Sequence, residues 1–266
     1  VHSGGGGSIG VAFAQAKSEG RALLIGYLPA GFPTLADSIE LVQAMCEGGV
    51  DLVEVGLPYS DPLMDGPVIQ QAVDQALTNG ATPESVLTVV TAVAELGVVP
   101  VVMTYWNPIE QFGVENFARE LQQAGGVGVI TPDLTIEEGK PWISAAVAHN
   151  VDPIFLVAPS STNERIDKIC RQTKGFVYAA STMGVTGARD QVSNMAPELV
   201  ARVRKCTDLP IAVGLGVSNG VQAAEIATYA DGVIVGSAFV KAANAGGAKA
   251  VAELARELAK GVRHGR

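Results

Sequence analysis

Glu54 and Asp65 are the two groups in this 266-residue chain whose surroundings best suit them to share acid-base work. Glu54 stands in the apolar, β-branched run Leu52-Val53-Glu54-Val55, the composition of a strand buried on both faces. Scarce water there disfavours the charged carboxylate and raises its pKa toward a value useful to a general acid or base. The run breaks at Gly56 and Pro58 into the loop Tyr59-Ser60-Asp61-Pro62-Leu63-Met64-Asp65-Gly66-Pro67. Asp65, bounded by Gly and Pro, has a polar and partly solvated setting and is expected to stay ionised at neutral pH. Two carboxylates in unlike environments at one strand end can divide the roles of general acid and charge stabiliser. A strand glutamate can also do no more than satisfy a buried arginine or a set of backbone amides, so its context decides.

Three further stretches supply that context. Tyr178 ends an apolar run, where it can donate a hydrogen bond or simply pack. It leads into Ala180-Ser181-Thr182-Met183-Gly184-Val185-Thr186-Gly187-Ala188, whose small residues suit a lid that closes over a ligand and excludes water. The segments Val213-Gly214-Leu215-Gly216-Val217-Ser218 and Ile234-Val235-Gly236-Ser237-Ala238 each end a strand pattern in a glycine turn. Backbone N–H groups at such turns, with the positive end of a short helix, make a phosphate site without Lys or Arg. Gly216, Gly236 and Ser237, with Gly187 opposite, meet that requirement. Histidine is nearly absent, at positions 2, 149 and 264, so a serine, cysteine or metal mechanism built on it is poorly supported.

The elements needed to position these groups follow from hydrophobic periodicity. Strand patterns begin near Ala22, Leu52, Val98, Val127, Asp152, Phe176, Ile211 and Gly232. Helical patterns follow them over 34–47, 83–96, 114–124, 136–149, 164–173, 196–205, 220–229 and 248–260. Eight βα units in about 250 residues predict one closed (β/α)₈ TIM barrel over 9–266; a doubly wound open sheet usually has fewer strands and a Gly-x-Gly-x-x-Gly turn after the first. The second and sixth units are longer than their neighbours. Extra helices are expected after strand two, from Pro67, and after strand eight, beside the phosphate turn. Loops that follow strands lie at the C-terminal mouth of such a barrel, so both surpluses land where its chemistry is done.

Composition excludes several other classes. The net charge of −9, with basic residues scattered, provides no footprint for nucleic acid or anionic lipid. The longest nearly apolar stretch, Gly97 to Trp106, is far shorter than the roughly 18 residues of a membrane span. Cys46, Cys170 and Cys206 lack paired spacing and read as reduced packing residues of a cytoplasmic protein. The glycine-rich opening 1–8 is expected to be a flexible linker or a scar outside the fold.

With these residues in hand, the sequence resembles the tryptophan synthase alpha subunit family from about Ile9 to Val262. The most specific stretch is Glu54-Val55-Gly56-Leu57-Pro58-Tyr59-Ser60-Asp61-Pro62-Leu63-Met64-Asp65-Gly66-Pro67. Met103-Thr104-Tyr105-Trp106-Asn107-Pro108-Ile109, Pro153-Ile154-Phe155-Leu156, Gly184-Val185-Thr186-Gly187 and the two glycine turns support it. The resemblance implies retro-aldol cleavage of indole-3-glycerol phosphate to indole and glyceraldehyde 3-phosphate, without metal or organic cofactor. It makes Glu54 the acid and then the base, Asp65 the acceptor of the indole N–H, and Tyr178 a neighbour of the reacting carbons. Gly187, Gly216, Gly236 and Ser237 would hold phosphate, while Tyr27, Met103, Tyr105 and Leu215 would wall the indole. Gly184 and Thr186 belong to the lid, with Thr186 bridging to Asp65 on closure. Departures from the family are Thr182 and Met183, where an Arg is frequent, and Leu215, where many relatives carry Phe.

A pyridoxal-phosphate-dependent beta subunit is the implied partner, in an alpha2beta2 heterotetramer with allosteric coupling. Its contacts are expected at the loop around Pro58 and Asp61 and at Asn107 to Ile109. Two other readings are a stand-alone lyase and a silent barrel acting as an allosteric partner; the second would be expected to lack Glu54 or Asp65.

Overall fold

The computed structural model describes residues 6–181 and 189–264. Its strands are β1 (Leu23–Pro29), β2 (Leu52–Gly56), β3 (Val99–Met103), β4 (Gly128–Ile130), β5 (Asp152–Ile154), β6 (Leu156–Val157), β7 (Val177–Ala180), β8 (Ile211–Gly214) and β9 (Gly232–Val235). All pair in parallel, in the order β5-β4-β3-β2-β1-β9-β8-β7-β6. This is the expected TIM barrel. The fifth expected strand accounts for both β5 and β6: its first half pairs with β4 and its second with β7. Side-chain alternation continues through the join, with Ile154 and Leu156 facing the barrel interior and Phe155 the helical layer. One stave thus closes the ring.

The helices are α1 (Gly6–Ser18), α2 (Leu35–Gly48), α3 (Pro67–Thr78), α4 (Pro83–Glu95), α5 (Trp106–Phe112), α6 (Val114–Gln123), α7 (Lys140–Ala148), α8 (Asn163–Gln172), α9 (Arg189–Arg204), α10 (Gly220–Ala227) and α11 (Ser237–His264). The extra helix α3 starts at Pro67, where proline's fixed φ and missing N–H suit a first turn. The expected extra helix after the last strand is the first part of α11, which leaves helical geometry at Gly246 and Gly247 before its second part. Helix α7 begins later than its pattern because Pro141 sits in its first turn.

Two elements escaped the periodic reading. Helix α5 is two turns inserted directly after β3. Helix α1 starts at Gly6, inside the stretch expected to be a linker, and its Ile9, Phe13 and Ala16 lie on one face. These residues are buried against interior side chains such as Leu23, Val101, Ile154 and Phe176. The helix therefore closes the barrel floor, and the opposite end is left for the chemistry. Interior and exterior alternate along every strand: Leu52 belongs to the interior cluster and Val53 and Val55 to the outer layer, which sends Glu54 inward toward the mouth.

Candidate active site

Glu54 is 1% exposed, and neither carboxylate oxygen has a hydrogen-bond partner among the described residues. Its register neighbours are Tyr27 on β1 and Val101 on β3, so no cation adjoins it in the sheet. Desolvation alone pushes its pKa up to about 8. The bland reading of a strand glutamate neutralising a buried arginine does not apply here. Arg21, the buried arginine, is instead committed to Asp51 and Glu19 at the other end of the strands.

Asp65 approaches from the loop between β2 and α3. It is half-buried, and desolvation raises its carboxyl to about 6, with the neighbouring Tyr105 hydroxyl pulling the other way. It stays mainly ionised at pH 7, as expected, in a drier setting than the loop composition implied. The loop is pinned where it reaches the mouth. The Tyr105 hydroxyl accepts from Met64 N–H at 2.8 Å, the Gln70 side chain donates to Asp65 O at 2.8 Å, and the Tyr59 and Tyr105 rings lie 5.5 Å apart.

Tyr27 and Tyr178 complete the chamber. Burial first, and then the charges of Asp65 and Glu54, hold both phenols well above their usual pKa, so both remain donors. Each ring needs space supplied by a missing side chain. A Cβ on Gly56 would stand 2.5 Å from the Tyr27 hydroxyl, and one on Gly214 would stand 2.8 Å from that of Tyr178. These strand-end glycines let the two phenols fold over the mouth.

The turn after β8 carries Gly216 with φ +72°, exposed, beside half-buried Leu215. After β9, Gly236 immediately precedes α11, whose first turn is closed by Phe239 N–H on Gly236 O at 2.9 Å. The amides before Phe239, including that of Ser237, have no intrahelical carbonyl to use and can meet an anion. Met103 ends β3, where it pairs in register with Gly56, and belongs to the mouth wall. Thus Glu54, Asp65, Tyr178, Tyr27, Met103, Tyr105, Leu215, Gly216, Gly236 and Ser237 gather at one end of the barrel. Gly184, Thr186 and Gly187 lie outside the described residues.

Residues 13–264 match the family model for the tryptophan synthase alpha chain. The chain belongs to that family. Curated tryptophan synthase alpha chains from Thermobifida fusca and Nocardia farcinica are each 60% identical to it. The matches cover 94% of this chain in both cases, and 96% and 94% of those relatives respectively. A solved Mycobacterium tuberculosis tryptophan synthase structure superposes with a TM-score of 0.91 at 52% identity, covering 96% of this chain and 98% of that one. An alpha chain from Legionella pneumophila keeps a TM-score of 0.87 at 29% identity. As a tryptophan synthase alpha chain, the protein is a lyase of tryptophan biosynthesis.

Within the alpha-chain barrel, two expected partner contacts are not at the surface. Pro58 packs inside the loop base and Ile109 is fully buried on the inner side of α5, whereas Asp61 and Asn107 are exposed. The outward apolar side chains of that loop are Leu63, 86% exposed, and Met64, 61% exposed. Asp133 also matters to the site and drew no notice in the sequence. Its carboxylate accepts from Trp106 N–H at 3.0 Å, capping α5 just where Tyr105 leads in. An Asp after a strand was the available signal, but its partner lies 27 residues away.

Proposed function

We propose that this chain cleaves indole-3-glycerol phosphate to indole and glyceraldehyde 3-phosphate with Glu54 as the proton-transfer group and Asp65 as the charge stabiliser. The observation that carries the reading is the buried Glu54 carboxyl, unpartnered and raised to about 8, beside a second carboxyl that remains mainly ionised at pH 7. Cleavage needs a proton on indole C3 and loss of a proton from the hydroxyl on the neighbouring glycerol carbon. Glu54, protonated below about pH 8, delivers the first, leaving an iminium nitrogen whose N–H donates to Asp65. The Glu54 carboxylate then takes the hydroxyl proton and the carbonyl forms. The carbon-carbon electron pair restores the indole ring, and Glu54 ends protonated, as it began. Tyr178 orients the glycerol chain beside Glu54, Tyr27, Met103, Tyr105 and Leu215 enclose the ring, and the turns at Gly216, Gly236 and Ser237 hold the phosphate.

No cofactor is required for this proton inventory, and pyridoxal phosphate is assigned to the beta subunit. Family membership supports such a partner, and exposed Leu63 and Met64 next to Asp65 are apolar surface suited to docking. The chain works in an alpha2beta2 assembly in the cytoplasm, and no helix among the described residues is long and apolar enough to cross a membrane. The test is indole release from indole-3-glycerol phosphate by the purified chain, with and without a matching beta subunit. Slow release that rises tenfold or more with the partner is expected, on the order of an ordinary coupling energy. No release in either condition would overturn the lyase reading, and fast release alone would overturn the coupled one.

A further inference from the structure

Asp65 must present a charged carboxylate to one ring nitrogen, yet the loop that carries it is held by little packing. Ser60, Asp61, Leu63 and Met64 are all exposed. On the other side of Asp65 comes Gly66, the extended N-cap of α3, where an added Cβ would meet nothing within 4 Å. A glycine with open space around it passes little of the helix's rigidity back along the chain. Helix α3 itself is a firm platform, because its Ile69, Ala72, Val73 and Ala76 are buried in the outer core layer. Gln70 stands one turn into it, and helical side chains lean toward the N-terminus, so its amide reaches back past Gly66. The amide nitrogen donates to Asp65 O at 2.8 Å and faces Pro62 O at 3.5 Å. Pro62 O also accepts from Asp65 N–H at 3.2 Å. Both backbone polar groups of Asp65 therefore belong to one network that closes on Gln70.

We propose that Gln70 is a positioning residue for the cleavage: its side-chain amide ties the Asp65 backbone to α3 and so sets the direction from which the carboxylate receives the indole N–H. This rests on the assignment of Asp65 as charge stabiliser and adds a residue that acts through Asp65. A carboxylate on an untethered loop has to be ordered again in every turnover, which lowers kcat. Binding of the ring and the phosphate is made by other staves and is spared. A residue that only stabilises the loop would instead change the melting temperature and leave the chemical step alone.

The experiment compares Gln70→Met, Gln70→Glu, Asp65→Asn and the double variant of Gln70→Met with Asp65→Asn against the parent, each with a matching beta subunit. Steady-state indole release is read at pH 7, and thermal melts show that each variant is folded at the assay temperature. Methionine keeps the length and helix preference of glutamine without the donor, and glutamate keeps its shape with an acceptor in the donor's place. Gln70→Met is expected to lower kcat about three- to tenfold, the usual worth of one neutral hydrogen bond, with KM within about twofold. Gln70→Glu should lose at least as much. In the double variant kcat should match that of Asp65→Asn alone, because no carboxylate is left to aim. Parental kcat in either Gln70 variant, a change confined to KM, or additive losses in the double variant would overturn the proposal. If Asp65→Asn is impaired while the Gln70 variants are not, the role of Gln70 fails and that of Asp65 stands. If Asp65→Asn turns over normally, both fall.

Discussion

The barrel holds a buried interior carboxylate at each end, and only the one at the mouth is suited to chemistry. Asp152 opens β5 near the floor, 4% exposed, with Oδ2 unpartnered and its pKa raised to about 6 by desolvation. Glu54 is buried just as deeply and raised to about 8. Around Asp152 lie Gly175, the floor helix residue Ile9, and Lys174, whose charge pulls the carboxyl partly back. Around Glu54 lie Tyr27, Tyr178 and Asp65, at the end of the barrel that no helix among the described residues plugs. A raised pKa therefore reports burial, and a site also needs access and a second group with a different task.

That contrast can be tested at its strongest point first. Glu54→Gln should reduce indole release by about a thousandfold or more, within the range of a lost general acid-base group, while the far-ultraviolet spectrum stays that of the parent. Normal turnover would erase the distinction between mouth and floor. The sign of its stability effect is also fixed. A carboxyl whose folded pKa is raised contributes stability below its unfolded pKa and loses it as pH rises toward 8. Glu54→Gln should accordingly gain thermal stability over the parent at pH 8 relative to pH 5.

Next in size, Asp65→Asn should lower kcat by about a hundredfold, as for a lost electrostatic stabiliser, with little change in KM. For the parent, kcat should fall on the acid side as Asp65 protonates near pH 6 and on the alkaline side as Glu54 loses its proton near pH 8. A flat profile across that window would remove both assignments. Gly236→Asp should weaken binding of glycerol phosphate by about tenfold, read by calorimetry. Its Cβ would meet Tyr27 at an ordinary 3.4 Å, so charge at the helix start is what opposes the anion.

The smallest effect belongs to the floor. Asp152→Asn should leave indole release within about twofold, because the floor is closed by α1. Its folded pKa lies above the ordinary aspartate value, so the stability it contributes is lost as pH rises through about 6. Thermal melts should show the variant gaining on the parent between pH 4 and pH 7. A large loss of turnover would mean that the two ends of the barrel are not independent.

The sequence alone determined the βα alternation, the barrel, the two long units at its mouth, and the pair Glu54 and Asp65. Each of these is written in local composition: apolar runs, glycine breaks, and a carboxylate where a strand has no other polar residue. Places at strand ends also indicated Tyr178 and the phosphate turns, while Tyr27, Met103, Tyr105 and Leu215 came only with the resemblance to the family. Tertiary structure decided the rest. That Tyr105 accepts from Met64 N–H, that Asp133 caps α5, and that Gly56 and Gly214 clear space for phenols are pairings between separate staves, which no local pattern records. That Pro58 and Ile109 face inward while Leu63 and Met64 face outward depends on how a loop and a short helix settle against the barrel. That α1 begins as early as Gly6 turned on the same physics: Ile9, Phe13 and Ala16, at helical spacing, gain burial only when a barrel floor is present to cover.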